Sequence, residues 1–166
     1  MCFLDIWFYK ERSISLARCM SPAIVNVFVT VVSPPFSHAE LAFQDGLAVS
    51  VLMRHNVECR KRTFDPSYYT CLRLKVSQEV AVCAKHEALS RVGEPFSSTV
   101  YCSRLVWEIL VNSKAVYAEE TQGCLVNRNV TPSELYRRLL AAGAEEIVWL
   151  DVARPLLVDF KCEYIF

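Results

Sequence analysis

Three histidines and eight cysteines are the side chains in this 166-residue chain best suited to nucleophilic or acid-base chemistry. Cys102 follows Ser97, Ser98 and Thr99, any of which could cap a helix and set the thiol in its first turn. A thiol there lies near unpaired backbone N–H groups and the positive end of the helix dipole. Both lower its pKa toward neutrality and predict that Cys102 alkylates before the other cysteines. Paired with a histidine it becomes an activated nucleophile. The plain alternative is core packing, because free cysteine is among the most buried residue types. Cys83 and His86 form a rival pair, three apart on one helical face. Mid-helix N–H groups are already bonded, so only His86 would activate Cys83, and packing is its expected role with His86 toward the rim. His55 falls in a polar loop and is expected to be solvated.

His38 is the better partner by position. From residue 38 to 43 the pattern alternates, with Ala39, Leu41 and Phe43 on one face and His38, Glu40 and Ala42 on the other. Glu40 follows His38 at strand spacing, about 6.8 Å, and can orient the imidazole if the two side chains lean together. Otherwise it is a rim carboxylate paired with Arg54 or Lys75. Asp45-Gly46 is a two-residue hairpin signal, since both central positions of a type I′ turn need positive φ. That strict turn pairs Ser50 with Leu41, on the face away from His38; a bulge would swing Ser50 round to compete with Glu40 as the third polar group.

The elements around these residues follow from periodicity. Residues 2–9 and 23–32 read as strands joined by a polar, helix-compatible stretch at 13–20, and Pro34-Pro35 stops the second. Residues 47–53 return antiparallel from the hairpin, and Tyr69–Val76 alternates as a further strand. Ser77 N-caps a helix over 77–92 that Gly93 ends. Cys102, Leu105, Val106, Ile109 and Leu110 mark one buried helical face. Thr131 and Pro132 open a third helix closed by Gly143, and residues 146–152 and 156–165 return to strand-like composition.

Composition sets the class. A hydrophobic content of 53% is ample for one core spanning residues 1–166. Eighteen basic against eighteen acidic residues leave no net charge, so no nucleic-acid partner is expected. The cysteines fall at 2, 19, 59, 71, 83, 102, 124 and 162 without any C-x-x-C pair, which argues against a metal site. The N-terminal "MCFLDIWFYKERS" makes a poor export signal, so the thiols read as reduced and intracellular, in the cytoplasm. "AIVNVFVTVV" falls well short of the ~20 apolar residues of a membrane span. The Asn129-Val130-Thr131 sequon carries no weight in a reducing compartment.

"FSHAELAFQDGLAVS", "GEPFSSTVYCSRLVWEIL" and "VTPSELYRRLLAAGA", in that order over residues 36 to 142, resemble the circularly permuted branch of the NlpC/P60 papain-like superfamily. The likeness is to forms found in phages and large DNA viruses, and it implies a virus-encoded origin. Papain-like enzymes present cysteine before histidine; here His38 precedes Cys102, and geometry rather than chain order defines such a site. The resemblance implies an α+β fold, with a small antiparallel β-barrel or sheet against the helix that carries Cys102, and His38 facing the thiol as general base. It implies hydrolysis or acyl transfer on an amide, isopeptide or ester bond of a peptide, peptidoglycan-like or lipid substrate through an acyl-thioester, with no cofactor. Catalytic roles fall on Cys102, His38 and Glu40. Arg104 stands where many relatives place an acid; Ser103 is an oxyanion-side helper or, the preferred reading, simply a first-turn residue, and Tyr101 lines the cleft or packs on the barrel. A binding module that keeps the fold is the alternative. A lipid acyltransferase of the lecithin-retinol type is weaker, because its asparagine-cysteine-glutamate signature is missing.

Overall fold

The computed structural model describes residues 2–10, 36–117 and 130–148. The helix-compatible stretch at 13–20, the strand expected at 23–32 and the one at 156–165 lie outside the described residues, as does the end of the 146–152 strand.

The chain is α+β. Among the described residues six strands, β1 (Cys2–Lys10), β2 (Phe36–Ala42), β3 (Leu47–Ser50), β4 (Glu58–Lys61), β5 (Tyr69–Val76) and β6 (Glu145–Ile147), form one antiparallel sheet in the order β4-β3-β2-β1-β5-β6. Among the described residues this sheet is open, with β4 and β6 at its edges, and is not a closed barrel. Among the described residues three helices follow β5: α1 (Gln78–Ser90), α2 (Cys102–Asn112) and α3 (Pro132–Ala141). Leu4, Ile6, Phe8, Ala39, Leu41 and Leu72 line one sheet face and join a single core with the apolar stripes of the helices, Leu105, Ile109 and Leu110 of α2 and Leu135 and Leu139 of α3 among them.

The opposite face has its own small cluster. Trp7, Ala42, Ala48 and Cys71 are buried there beneath Phe64, Tyr69 and Ile147, and the Trp7 and Phe64 rings stack with centroids 4.5 Å apart. His38 and Glu40 belong to this face, because they pair with Tyr9 and Trp7 of β1.

Two irregularities aim the side chains. Tyr9 pairs with His38 but Lys10 with Phe36, so β2 carries one extra residue at Ser37. That bulge reverses the alternation: Phe36 turns to the helix side, against Phe8 and Tyr136, while His38 stays on the other. The second is the hairpin. Asp45 has no positive φ, Gly46 sits at +81°, and Gly46 N–H donates to Phe43 O at 3.0 Å. The loop is therefore three residues, Gln44 to Gly46, instead of a type I′ pair. Leu41 pairs with Val49 and Ala42 with Ala48, one step from the strict-turn register, and Ser50 comes onto the Glu40 face.

Helix ends match their signals in two cases of three. Ser77 accepts from Val80 N–H at 3.2 Å and Thr131 from Glu134 N–H at 3.2 Å, with Pro132 in the first turn. Gly93 and Gly143 have left-handed φ just past α1 and α3. At α2 none of the three hydroxyl residues caps. The N-cap is Tyr101, without a side-chain bond, and Ser97 Oγ instead accepts from Thr99 and Val100 N–H in the preceding turn. No helix among the described residues is long and apolar enough to cross a membrane.

Candidate active site

Cys102 is the first residue of α2, as its sequence context implies. Its largely buried side chain packs against the main core, and the backbone N–H groups of Ala39 and Ser103 stand near enough to the sulfur to favour its ionised form. β3 pairs with β2 only at Leu41 and Ala42, so the strand edge at Ala39 is left open for it. A backbone N–H lies in the plane of its sheet. The sulfur thus stands at the edge of β2 beside Ala39, the residue that follows His38 in the chain.

The start of α2 is tied down on its other side. Ser103 Oγ donates to Val130 O, and Tyr101 Oη accepts from Val130 N–H at 2.8 Å. These bonds lock α2 to the segment that enters α3 and engage the Ser103 hydroxyl proton, while the same hydroxyl stands near enough to the Cys102 sulfur to favour its ionised form. Arg104 Nε donates to Glu108 at 2.7 Å, and Glu108 also accepts from Arg91 at 3.1 Å, so the cation that departs from the resembled pattern is engaged within the fold.

His38 and Glu40 lean together. Nε2 of the imidazole lies 3.6 Å from Glu40 Oε1, longer than a hydrogen bond but a distance that small rotations close. Glu40 is 1% exposed. Neither Arg54 nor Lys75 is its ion-pair partner: Lys75 pairs with Glu145 at 2.7 Å, and the cation on Glu40 is Arg62, Nη1 to Oε1 2.9 Å. Neither carboxyl oxygen has a partner in good hydrogen-bond alignment, so the contact with Arg62 is one of charge. The hydroxyls of Ser50 and Tyr69 stand near enough to favour the ionised form. Ser50 and Glu40, alternatives by sequence, belong to one network.

Burial dominates the titration of all three groups. It lowers the His38 pKa to about 4, with the Arg62 charge adding to the effect. It raises Glu40 above the usual carboxylate range against the lowering pull of Arg62, Arg60, Ser50 and Tyr69. It also raises Cys102: the N–H donors of Ala39 and Ser103 lower the thiol pKa, but desolvation is larger, and the Glu40 charge opposes ionisation further. The depressed thiol pKa expected from the helix start is overturned for this reason. The resting pair is a neutral thiol and a neutral imidazole.

The rival pair differs as well. Cys83 is exposed, not packed in the core, and lines an open surface groove with His86 and Val82. His55 is exposed as expected. Among the described residues no three His, Cys, Asp or Glu side chains gather as a metal-binding group.

Sequence reasoning missed Arg62. Its signal is the spacing of Arg60 and Arg62 in "ECRKR", which places both on one face, but that face is known only once β4 is registered on β3. Compared with protein-family models, with curated proteins and with solved structures, the chain matches none.

Proposed function

We propose that this chain is a thiol hydrolase or acyltransferase of the permuted papain-like type, acting on an amide, isopeptide or ester bond of a peptide, peptidoglycan-like or lipid substrate through an acyl-thioester on Cys102. One observation carries the reading: the start of α2 presses the Cys102 sulfur onto the Ala39 N–H, between His38 and Glu40 on the same strand. Nε2 of His38 faces Glu40, and the mechanism assigns the thiol proton to Nδ1.

Because both partners rest neutral, proton transfer accompanies attack instead of preceding it. Nδ1 takes the thiol proton as sulfur bonds to the carbonyl carbon, and the carbonyl π pair moves to oxygen. First-turn N–H groups of α2, free of any side-chain cap, are the donors for that oxyanion. Collapse breaks the bond to the leaving amine or alcohol, which receives the proton from the imidazolium. Water, or an acceptor amine or alcohol, then gives its proton to His38, attacks the thioester and releases the thiol. Glu40 holds the imidazole through these steps and stabilises its charged form. A thiol of this kind operates in a reducing compartment.

The raised thiol and lowered imidazole pKa favour a second reading, a binding module that keeps the fold without turnover. Hydrolysis of amide and ester probes by the parent, His38→Ala and Cys102→Ala separates the two. Turnover lost in both variants is the hydrolase result; no turnover in the parent is the binding-module result, and equal turnover in Cys102→Ala removes Cys102 as the nucleophile.

A further inference from the structure

Glu40 poses a physical problem. A carboxylate 1% exposed, with neither oxygen in an aligned hydrogen bond, is held in a place where burial favours the protonated acid. A protonated Glu40 would neither attract an imidazolium nor fix the orientation of the ring. Something must hold the charge.

Arg62 is built to do so. It follows β4, and its backbone N–H donates to Gly46 O at 3.1 Å, continuing the register in which Arg60 faces Ala48. That parity sends its side chain over the Glu40 face. The guanidinium is fixed from three sides: Nη1 is 2.9 Å from Glu40 Oε1, Nη2 donates to Tyr69 Oη at 3.2 Å, and the cation lies 5.4 Å from the Phe64 ring centroid. Its side chain is 23% exposed, so the cation keeps contact with water while it reaches a carboxylate that does not.

The other groups facing this pair do not replace it. Arg60 is half exposed and paired with Glu58 at 3.2 Å, Ser50 and Tyr69 offer neutral hydroxyls, Tyr9 is the β1 residue opposite His38, and Cys102 at the strand edge is itself disfavoured as an anion. We propose that Arg62 is a positioning residue of the Cys102–His38 site: it holds Glu40 ionised in its buried place, so that the carboxylate can fix the His38 ring through Nε2. This rests on the hydrolase reading and adds to it the group that sets the site's acid limit.

The test uses the full chain with Arg62→Gln and Arg62→Lys, and reads the His38 imidazole by heteronuclear NMR titration beside the pH profile of probe hydrolysis. Removing the cation raises the pKa of both Glu40 and His38, and protonating either group stops catalysis. Arg62→Gln therefore moves the His38 midpoint up from about 4, and the acid limb of kcat/KM shifts the same way, each by on the order of one pH unit. Arg62→Lys restores the parent midpoint and limb. A midpoint and limb unmoved in Arg62→Gln, or equally displaced in Arg62→Lys, overturn the proposal and leave Arg62 a packing residue. If Arg62→Gln does not fold, the Glu40 side-chain carboxyl of the parent is titrated by carbon NMR: a carboxylate ionised across the pH range of activity supports the assignment, and one protonated there overturns it. Cys102→Ala is run in parallel, since activity surviving there refutes the hydrolase reading while the titration still reports on Arg62.

Discussion

Replacing Glu40 with glutamine should separate stability from turnover. The residue is 1% exposed and lies 2.9 Å from Arg62, and breaking a buried ion pair ordinarily costs several kcal/mol. Here the sign of the titration argues otherwise. Burial outweighs Arg62 and raises the Glu40 pKa, so folding disfavours the ionised carboxyl, by ~1.4 kcal/mol for each tenfold gain in its proton affinity. Linkage gives the same result: with the folded pKa above the unfolded one, stability is greatest below the unfolded value and falls as pH rises through the folded value. A neutral isostere is spared that loss, and Arg62, still in reach of water, can turn outward. Glu40→Gln should stay within ~1 kcal/mol of the parent in urea denaturation at about pH 7.5 and lack the parent's fall in stability above the ordinary carboxylate range. Turnover of an ester probe should drop ~10- to 1000-fold as the imidazole loses its orienting charge. A variant destabilised by several kcal/mol with undiminished turnover per folded molecule would refute the reasoning on both counts.

Three further outcomes follow from the same geometry. His38 titrates at about 4 when folded and 6.5 when unfolded, so its neutral form contributes roughly 3 kcal/mol of instability that grows as pH falls from 6.5 toward 4 and the unfolded chain takes up the proton; that acid slope should vanish in His38→Gln, and a slope equal to the parent's would contradict the burial of the ring. Ser50→Ala removes a hydroxyl that favours ionised Glu40, so turnover should fall ~2- to 10-fold with the acid limb moved to higher pH; a silent variant would show that the register set by the three-residue loop leaves Ser50 outside the network. Under iodoacetamide at about pH 7, peptide mapping should find exposed Cys83 modified before Cys102, whose thiol is held above its ordinary pKa; preferential labelling of Cys102 would mean a thiolate that burial does not permit.

The sequence is most legible where periodicity and burial agree. β2, β5 and the buried face of α2 follow from alternation or from three-and-four spacing, and Ser77 and Thr131 cap where their hydroxyls precede apolar stretches. β4 is not legible: its four residues, Glu-Cys-Arg-Lys, sit at a sheet edge with mostly exposed side chains, and only pairing with β3 makes them a strand. The hairpin loop is one residue longer than the Asp-Gly signal implies, because that dipeptide suits both a two-residue turn and the end of a three-residue loop, and the extra residue decides where Ser50 points. Glu40 reads as the group that orients His38, with a rim carboxylate left open as the alternative, because alternation separates faces without saying what covers them. Its cover, Trp7, Phe64 and Tyr69, comes from three separate stretches of chain. Helix-start logic places Cys102 correctly and misjudges its acidity, since a local dipole is visible in sequence and desolvation by a distant strand is not.

The central claim, that Cys102 and His38 act as one nucleophilic unit, is tested most directly by trapping the intermediate. The parent, His38→Ala and Cys102→Ser are mixed with an activated acyl ester, quenched in acid and analysed by intact mass and peptide mapping. The account predicts one added acyl group on Cys102 in the parent, stable in acid and released by hydroxylamine as a thioester is, with formation slowed ~100-fold or more in His38→Ala. Acylation of Cys102 at the same rate without His38, or acyl groups found only on other residues, would contradict it.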